Sequence, residues 1–117
     1  MPLAYVIGSA PFFKHEFLVS EDTLIPRADS EVAVEEALAW LKGLAAAATT
    51  KRVLDLGTGS GCLLLSVLAE DERLSGVGVD ISERALAIAR RNAEKLGIAR
   101  SRVEFVLRCV GVYRGCG

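Results

Sequence analysis

Residues 52–61 read Arg52-Val53-Leu54-Asp55-Leu56-Gly57-Thr58-Gly59-Ser60-Gly61, an apolar run that stops at three alternating glycines. The apolar run predicts a buried strand, and the glycines predict a tight turn after it. The apolar residues from Cys62 to Leu68 then predict a helix. Glycine lets the backbone turn sharply and lets a ligand approach without a Cβ in the way. The segment therefore predicts a ligand-binding turn that faces the N-terminus of a helix.

An acidic residue ends the next apolar run. Residues 76–80, Gly76-Val77-Gly78-Val79-Asp80, predict a second buried strand with Asp80 as its last residue. In nucleotide-binding α/β units, a carboxylate at this position accepts hydrogen bonds from ribose hydroxyls. Glycine-rich turns also occur simply to join a strand to a helix, but here the strand, the helix and the acid are all present. We therefore expect a site for an adenosine-containing ligand.

Two further helices are predicted by apolar residues at helical spacing. The first begins with a cap at Asp29 or Ser30 and runs to about Leu44. The second begins with a cap at Ser82 and ends before Gly97, which stands where a C-terminal glycine belongs. Helices therefore follow the strands in alternation.

A third strand and an N-terminal hairpin complete the predicted elements. Alternating apolar residues predict a strand over residues 102–107. Upstream, residues 11–19 are predicted to be extended, with a turn at residues 20–22 and a short return strand at Leu24-Ile25. Strands that alternate with helices indicate an α/β fold with parallel strands, here preceded by a short β-hairpin.

The charge balance excludes several classes of partner. Lysine and arginine total 14 and aspartate and glutamate total 15, so the net charge is −1. This balance gives no electrostatic footprint for nucleic acid or for an anionic membrane. The longest uncharged run, residues 56–69, is shorter than the ~20 residues of a membrane span. Residues 1–5 have no secretory signal pattern, so we expect a cytoplasmic protein, with an organelle as the alternative.

The cysteines and the histidine indicate no catalytic or metal site. Cys62, Cys109 and Cys116 form no zinc-ligand spacing, and their odd number favours reduced thiols. His15 is the only histidine, and the charged residues on either side of it predict a solvated strand face and a structural role. We expect no bound metal.

The spacing of the glycines identifies the type of ligand. A dinucleotide fingerprint requires a glycine or alanine at position 62, where this chain has Cys62. A nucleophile elbow around Ser60 requires a glycine at position 58, where this chain has Thr58. The pattern Asp-x-Gly-x-Gly-x-Gly from Asp55 to Gly61 instead resembles motif I of the class I methyltransferases that use S-adenosylmethionine. An acid before the turn suits a cofactor that carries an ammonium group.

Four segments together resemble the HemK/PrmC family of protein glutamine methyltransferases. They are residues 2–8, Leu24-Ile25-Pro26-Arg27-Ala28-Asp29-Ser30-Glu31, residues 53–61 and Val79-Asp80-Ile81-Ser82. The glycine motif alone indicates a methyltransferase, and the Ile-Pro-Arg segment upstream makes the resemblance specific to this family. The resemblance extends over residues 2–107.

The resemblance implies a cofactor, a substrate and a set of site residues. The fold would be a partial Rossmann-like class I methyltransferase domain, and S-adenosylmethionine would donate a methyl group to the glutamine of the Gly-Gly-Gln motif in peptide chain release factors. The implied cofactor-binding residues are Arg27, Asp55, Gly57, Thr58, Gly59, Ser60, Gly61 and Asp80.

The resemblance also implies a division of the chain into three parts. Residues 1–28 form the N-terminal hairpin segment, residues 29–107 form the partial cofactor-binding domain and residues 108–117 form an atypical tail. We expect Arg27 to lie at the mouth of the site, beside the cofactor carboxylate or the methyl acceptor.

The chain departs from the family pattern in three places. Ala28 stands where the family has proline, and Cys109 stands near the position of an aspartate that lies by the adenine. The Asn-Pro-Pro-Tyr motif that positions the acceptor amide occurs nowhere in the chain. No catalytic residue is therefore identified, and we expect the chain as it stands to be inactive.

Two other interpretations remain open from the sequence. The chain is a non-enzymatic product of truncation or frameshift, or it is a fragment of a nucleic-acid amino-methyltransferase that shares the glycine turn. Without the strand that carries Asn-Pro-Pro-Tyr, the strand at residues 52–56 would lie at the edge of the sheet, and apolar edges are templates for association. We therefore expect self-association through this strand.

Overall fold

A computed structural model describes residues 7–20, 23, 28–44 and 51–108. Five strands and three helices lie within these residues. In chain order they are β1 (Ile7–Phe12), β2 (His15–Ser20), α1 (Ala28–Leu44), β3 (Lys51–Leu56), α2 (Cys62–Glu70), β4 (Leu74–Asp80), α3 (Glu83–Lys95) and β5 (Val103–Leu107).

The central feature is a parallel sheet of three strands in the order β3-β4-β5. The strands are short apolar runs, and each is connected to the next through a helix: α2 joins β3 to β4, and α3 joins β4 to β5. The strands pack closely on the helices, since a Cβ at Gly76 of β4 would lie 2.7 Å from Leu64 of α2. The α/β fold with parallel strands that the sequence predicts is confirmed.

One face of this sheet carries the hydrophobic core. Val53, Leu74, Val103 and Phe105 belong to the core cluster, and α2 contributes its fully buried leucines to the same cluster. Helix α3 packs on β4 and β5, and α1 packs on α2. The apolar positions predicted for α1 lie against this core on one side of the helix, at Val34, Ala37, Leu38 and Leu41.

The other face of the sheet is open along β3. The side chains of Leu54 and Leu56 are 64% and 59% exposed, and the strand register places them beside Val77 and Val79 of β4. Among the described residues, β3 has a hydrogen-bonded neighbour only on the β4 side. This arrangement agrees with the edge position that the sequence predicts for residues 52–56.

The N-terminal hairpin is present, but the chain reverses earlier than the sequence predicts. The chain reverses at Phe13-Lys14, so that Phe12 pairs with His15 and residues 11–19 are divided between two strands. A turn does follow β2 at the predicted place, since the N–H of Thr23 donates a hydrogen bond to the carbonyl of Ser20 at 3.0 Å, but it does not form the hairpin. The predicted return strand at Leu24-Ile25 lies outside the described residues.

Tertiary contacts explain why the turn lies at Phe13. Its φ of 55° is in the left-handed region, which favours glycine, so the local sequence gives no hairpin signal there. Glu31 of α1 accepts a hydrogen bond from the Phe13 N–H at 2.5 Å. Phe12 and Phe17 pack edge to face, with ring centroids 6.0 Å apart, and both are buried. The helix and the core therefore fix a turn that the sequence alone does not predict.

His15 does not lie on a solvated strand face, and that prediction is wrong. Side chains two apart on a strand share a face, so His15 lies on the side of the buried Phe17. The two rings contact edge to face at 6.3 Å. The buried Nε2 of His15 has no hydrogen-bond partner among the described residues.

The predicted ends are correct for α3, whereas for α1 the predicted end at Leu44 is correct and the predicted N-terminal cap is wrong. The side chain of Ser82 accepts a hydrogen bond from the N–H of Ala85 at 3.1 Å, and Gly97 after the helix has a φ of 74°. Helix α1 begins at Ala28, so Asp29 and Ser30 lie within it instead of capping it. None of the described helices is both long and apolar enough to cross a membrane.

Arg102 connects the C-terminal end of α2 to the first residue of β4 by hydrogen bonds. Its guanidinium donates hydrogen bonds to the carbonyls of Leu68 and Asp71 at 2.6 and 2.8 Å and to that of Leu74 at 3.0 Å. The last carbonyls of a helix have no partner within the helix, so a cation there is favourable. The guanidinium therefore fixes the connection from α2 to β4.

Candidate functional site

The glycine turn joins β3 to α2 at the carboxyl ends of the parallel strands. The N–H groups of Gly57 and Thr58 both donate to the carbonyl of Val79 in β4, at 2.7 and 2.9 Å. Gly57 and Gly59 have φ values of 76° and 56°, and a Cβ at either position would meet nothing within 4 Å. Backbone conformation, not crowding, therefore requires glycine at these two positions, and their outer side is open to a ligand.

The third glycine, Gly61, also has a left-handed φ, of 83°, and serves a packing purpose as well. A Cβ at Gly61 would lie 3.0 Å from Leu65 and 3.4 Å from Ala89, so glycine lets α2 and α3 pack closely behind the turn. Helix α2 begins without a side-chain cap and without an acidic residue in its first turn. The positive end of its dipole is therefore left uncompensated beside the turn, as is typical of anion-binding sites.

Asp80 lies where the sequence predicts it, at the end of β4 beside the turn. Its Oδ2 accepts a hydrogen bond from the N–H of Gly59 at 2.9 Å, and its Oδ1 accepts one from the N–H of Ser82 at 2.9 Å. The carboxylate thereby ties the turn to the start of α3. Because each carboxylate oxygen accepts more than one hydrogen bond, Asp80 retains capacity for ligand hydroxyls.

Asp55 provides a second carboxylate at the same edge of the sheet. Burial raises its pKa above the ordinary value of 3.8, the hydroxyl of Thr58 lowers it through a 2.9 Å hydrogen bond, and the negative charge of Asp80 raises it. None of the ion pairs between described residues involves Asp55 or Asp80. Among the residues that the structure describes, the two nearby carboxylates therefore have no cationic partner, which favours a positively charged ligand.

Thr58 and Ser60 support the turn from inside. Thr58 is buried, and its hydroxyl donates to Asp55, so its side chain does not face the open side. Ser60 is also buried, and its Oγ shares a hydrogen bond with the Sγ of Cys62 at 2.7 Å. Burial raises the pKa of the Cys62 thiol to about 11, so this thiol is neutral and unreactive at neutral pH.

Asn92 belongs to the site, although the sequence analysis did not identify it. It is fully buried on α3, and its side chain bonds to Ser60 in the turn and to Leu18 in the hairpin. The signal in the sequence was a single amide on the apolar face of a predicted helix. An amide there requires buried polar partners.

Two residues of the expected site cannot be placed. Arg27 and Cys109 lie outside the described residues. The structure therefore brings together the glycine turn, Asp55 and Asp80 as predicted, and adds Asn92 behind them.

Sequence comparisons identify relatives of this chain. The methyltransferase domain family matches residues 48–111, which is more than half of the chain. The release factor glutamine methyltransferase of Bordetella pertussis is 46% identical over 96 residues, covering 82% of this chain and 34% of that protein. The protein of the same name from Nitratidesulfovibrio vulgaris is 44% identical over 105 residues, covering 90% of this chain and 34% of that protein.

These relatives confirm the resemblance that the four sequence segments indicate. The chain spans about a third of the length of the curated relatives it matches. A solved structure, the S-adenosylmethionine-dependent methyltransferase of Agrobacterium tumefaciens, superposes with a TM-score of 0.62 at 19% identity. The superposition covers 92% of this chain and 34% of the Agrobacterium tumefaciens chain. The likeness supports the fold assignment.

The substitution Asp55→Asn is expected to raise the melting temperature of the ligand-free protein at about pH 7. Because the folded state raises the pKa of Asp55, stability is greatest below the unfolded-state pKa and falls as the pH rises through the folded-state pKa. The asparagine side chain still accepts a hydrogen bond from the Thr58 hydroxyl, but it carries no charge. The gain should shrink towards about pH 4, and thermal unfolding followed by circular dichroism measures it.

Asp71→Asn is the control for this prediction, with the opposite sign. Hydrogen bonds from Arg73 lower the pKa of Asp71, so its contribution is present at neutral pH and is lost as the pH falls through the folded-state pKa. Asp71→Asn should therefore lower the melting temperature at neutral pH. A lower melting temperature for Asp55→Asn at neutral pH would contradict the electrostatic description of the site.

Proposed function

The chain belongs to the methyltransferase domain family, in its HemK/PrmC branch, and from this premise we propose that it is the cofactor-binding part of a release factor glutamine methyltransferase. The observation that carries the proposal is the glycine turn with an open outer side, held by Asp80 at the end of the neighbouring strand. We assign the cofactor-binding unit to residues 29–107, preceded by the hairpin segment and followed by the tail at residues 108–117.

The residues of the site suit S-adenosylmethionine. Asp80 is positioned to accept hydrogen bonds from the two ribose hydroxyls of the adenosine. Asp55, which has no cationic partner among the described residues, suits the ammonium group of the methionine end. The uncapped N-terminus of α2 suits the carboxylate of that end. When bound, the cofactor supplies a methyl group on a positively charged sulfur.

Not all of the proposed cofactor residues act in the same way. The glycines offer an accessible backbone, and Thr58 and Ser60 have inward-facing side chains that shape the turn. The proposed contacts remain Arg27, Asp55, Gly57, Thr58, Gly59, Ser60, Gly61 and Asp80, of which Arg27 lies outside the described residues.

The proposed methyl acceptor is the glutamine side chain of a release factor. An amide nitrogen is a poor nucleophile because its lone pair is delocalised into the carbonyl, so catalysis depends on holding it in line with the methyl group. The sequence of this chain lacks the Asn-Pro-Pro-Tyr motif for that role. A release factor acceptor places the proposed reaction in the compartment where translation ends, the cytoplasm or an organelle.

Removal of the Asp80 carboxylate tests the cofactor site. Asp80→Ala is expected to weaken binding of S-adenosylhomocysteine by about 10- to 100-fold, since hydrogen bonds to a charged group contribute ~1.5–3 kcal/mol. Isothermal titration calorimetry measures the affinity. Glu83→Ala is the matched control, because it removes an exposed carboxylate three residues away that does not contact the turn. Equal affinity in the Asp80 variant and the parent would refute the assignment.

The absence of the acceptor motif leads to a prediction on activity. The 117-residue chain should transfer no methyl group above background to a Gly-Gly-Gln peptide, because nothing in its sequence supplies the Asn-Pro-Pro-Tyr acceptors. Transfer of labelled methyl from S-adenosylmethionine measures this, with the Bordetella pertussis relative as the reference. Transfer at a comparable rate would show that the acceptor site lies elsewhere in this chain.

The exposed strand β3 leads to a prediction on association. We expect copies of this chain to associate through β3, whose apolar side chains and backbone edge are uncovered among the described residues. Leu54→Lys should shift the protein to monomer in sedimentation velocity, because a charge on an edge strand opposes pairing. Val32→Lys, which adds the same charge at an exposed site on α1, should leave association unchanged. A parent chain that is monomeric at all concentrations would overturn this expectation.

A further inference from the structure

We propose that Asn92 is a positioning residue that holds the N-terminal hairpin and the glycine turn in one arrangement, so that hairpin docking and cofactor binding are thermodynamically linked. The cofactor part of this inference rests on the proposed function. The link between hairpin and turn rests on the contacts of Asn92 alone.

The side chain of Asn92 uses all of its hydrogen-bonding groups on two different parts of the chain. It is fully buried, and its Oδ1 accepts a hydrogen bond from the N–H of Leu18 at 2.6 Å. Its Nδ2 donates to the carbonyl of Leu18 at 3.0 Å and to the carbonyl of Ser60 at 2.8 Å. An amide has two N–H donors and one carbonyl, so both donors and the acceptor are engaged.

On the hairpin side, Asn92 bonds to the backbone edge of β2 that faces away from β1. In the antiparallel register, Phe12 pairs with His15 across the turn, so alternation directs the backbone groups of Glu16, Leu18 and Ser20 away from β1. Asn92 satisfies both groups of Leu18, and the Nζ of Lys95 donates to the carbonyl of Glu16 at 3.0 Å. A two-stranded hairpin is marginally stable alone, so its order depends on this docking to α3.

On the turn side, Asn92 bonds to the peptide group that joins Ser60 to Gly61. The N–H of this same peptide group, that of Gly61, donates to the carbonyl of Thr58 at 2.8 Å. The N–H of Gly59, two residues earlier, donates to Asp80. Asp80 therefore fixes the turn from β4, and Asn92 fixes it from α3. Loss of the Asn92 amide would free one side of the turn.

Packing alone gives no reason for an amide at this position. The neighbouring buried positions of α3 are apolar, including Ala85, Ala89 and Ala93. An apolar residue at 92 would continue that face but would leave the groups of Leu18 and the Ser60 carbonyl without their partner. Buried polar groups without partners are costly, so the amide is required by the two segments that it joins.

Hydrogen exchange of the ligand-free chain tests the link directly. The variant Asn92→Ala is compared with Lys95→Met, which removes a bond from α3 to the hairpin but does not touch the turn. The probes are the amides of Phe17 and Val19 in the hairpin and of Gly59 and Gly61 in the turn. Asn92→Ala should accelerate exchange at both sets by about tenfold or more, whereas Lys95→Met should accelerate it in the hairpin alone.

The same measurement has outcomes that overturn the proposal. If Asn92→Ala accelerates exchange in the hairpin and leaves the turn unchanged, Asn92 only docks the hairpin. If Lys95→Met accelerates exchange in the turn equally, hairpin docking and not the amide of Asn92 controls the turn. If Asn92→Ala shows no cooperative thermal transition, Asn92→Ser, which keeps a neutral donor, is measured in its place against the same criteria.

Titration with S-adenosylhomocysteine tests the cofactor part separately. Asn92→Ala should bind about tenfold more weakly than the parent, and Lys95→Met should bind equally well. Because linkage is reciprocal, the ligand should slow exchange at Phe17 and Val19 in the parent but not in Asn92→Ala. Equal binding by Asn92→Ala and the parent refutes the link to the cofactor. A parent that does not bind refutes the proposed function instead, and the ligand-free exchange then decides the role of Asn92.

Discussion

The hydrogen bond from the Gly59 N–H to the carboxylate of Asp80 is the contact on which the site depends. It joins the turn after one strand to the end of the next strand, and the second oxygen of Asp80 extends the connection to the start of α3 through Ser82. The N–H groups of Gly57 and Thr58 bond to the carbonyl of Val79 in β4, and that of Gly59 bonds to Asp80. These bonds hold the turn glycines in their left-handed conformations. One carboxylate therefore sets both the shape of the turn and the position of the proposed ribose contact.

The same arrangement has an electrostatic cost in the absence of ligand. Asp55 is partly buried close to Asp80, and burial raises its pKa above the ordinary value. A single hydroxyl, that of Thr58, offsets part of this cost. A ligand with a positive charge beside Asp55 would offset this cost, which is the physical reason that the proposed cofactor suits the site. Sites that carry perturbed carboxylates are commonly functional for this reason.

Around this site, the described sheet is covered on one face, and its other face is open along β3. Helices α2 and α3 pack on the face that carries Val53 and Phe105, whereas Leu54 and Leu56 of β3 are mainly exposed. The strand that leads into the glycine turn is thus also the described strand with two large, mainly exposed apolar side chains.

The sequence by itself determined the α/β alternation, the glycine turn, the place of Asp80 at the end of β4 and the helix-end roles of Ser82 and Gly97, because these depend on local periodicity and on short motifs with a fixed geometry. It did not determine the hairpin turn at Phe13, whose N–H bonds to a glutamate of α1, or the contact of His15 with Phe17, which follows from that turn. Nor did it reveal Asn92, whose partners Leu18 and Ser60 are remote in the chain. Only tertiary structure brings such groups together, since a buried amide is satisfied by whichever segments the fold places beside it.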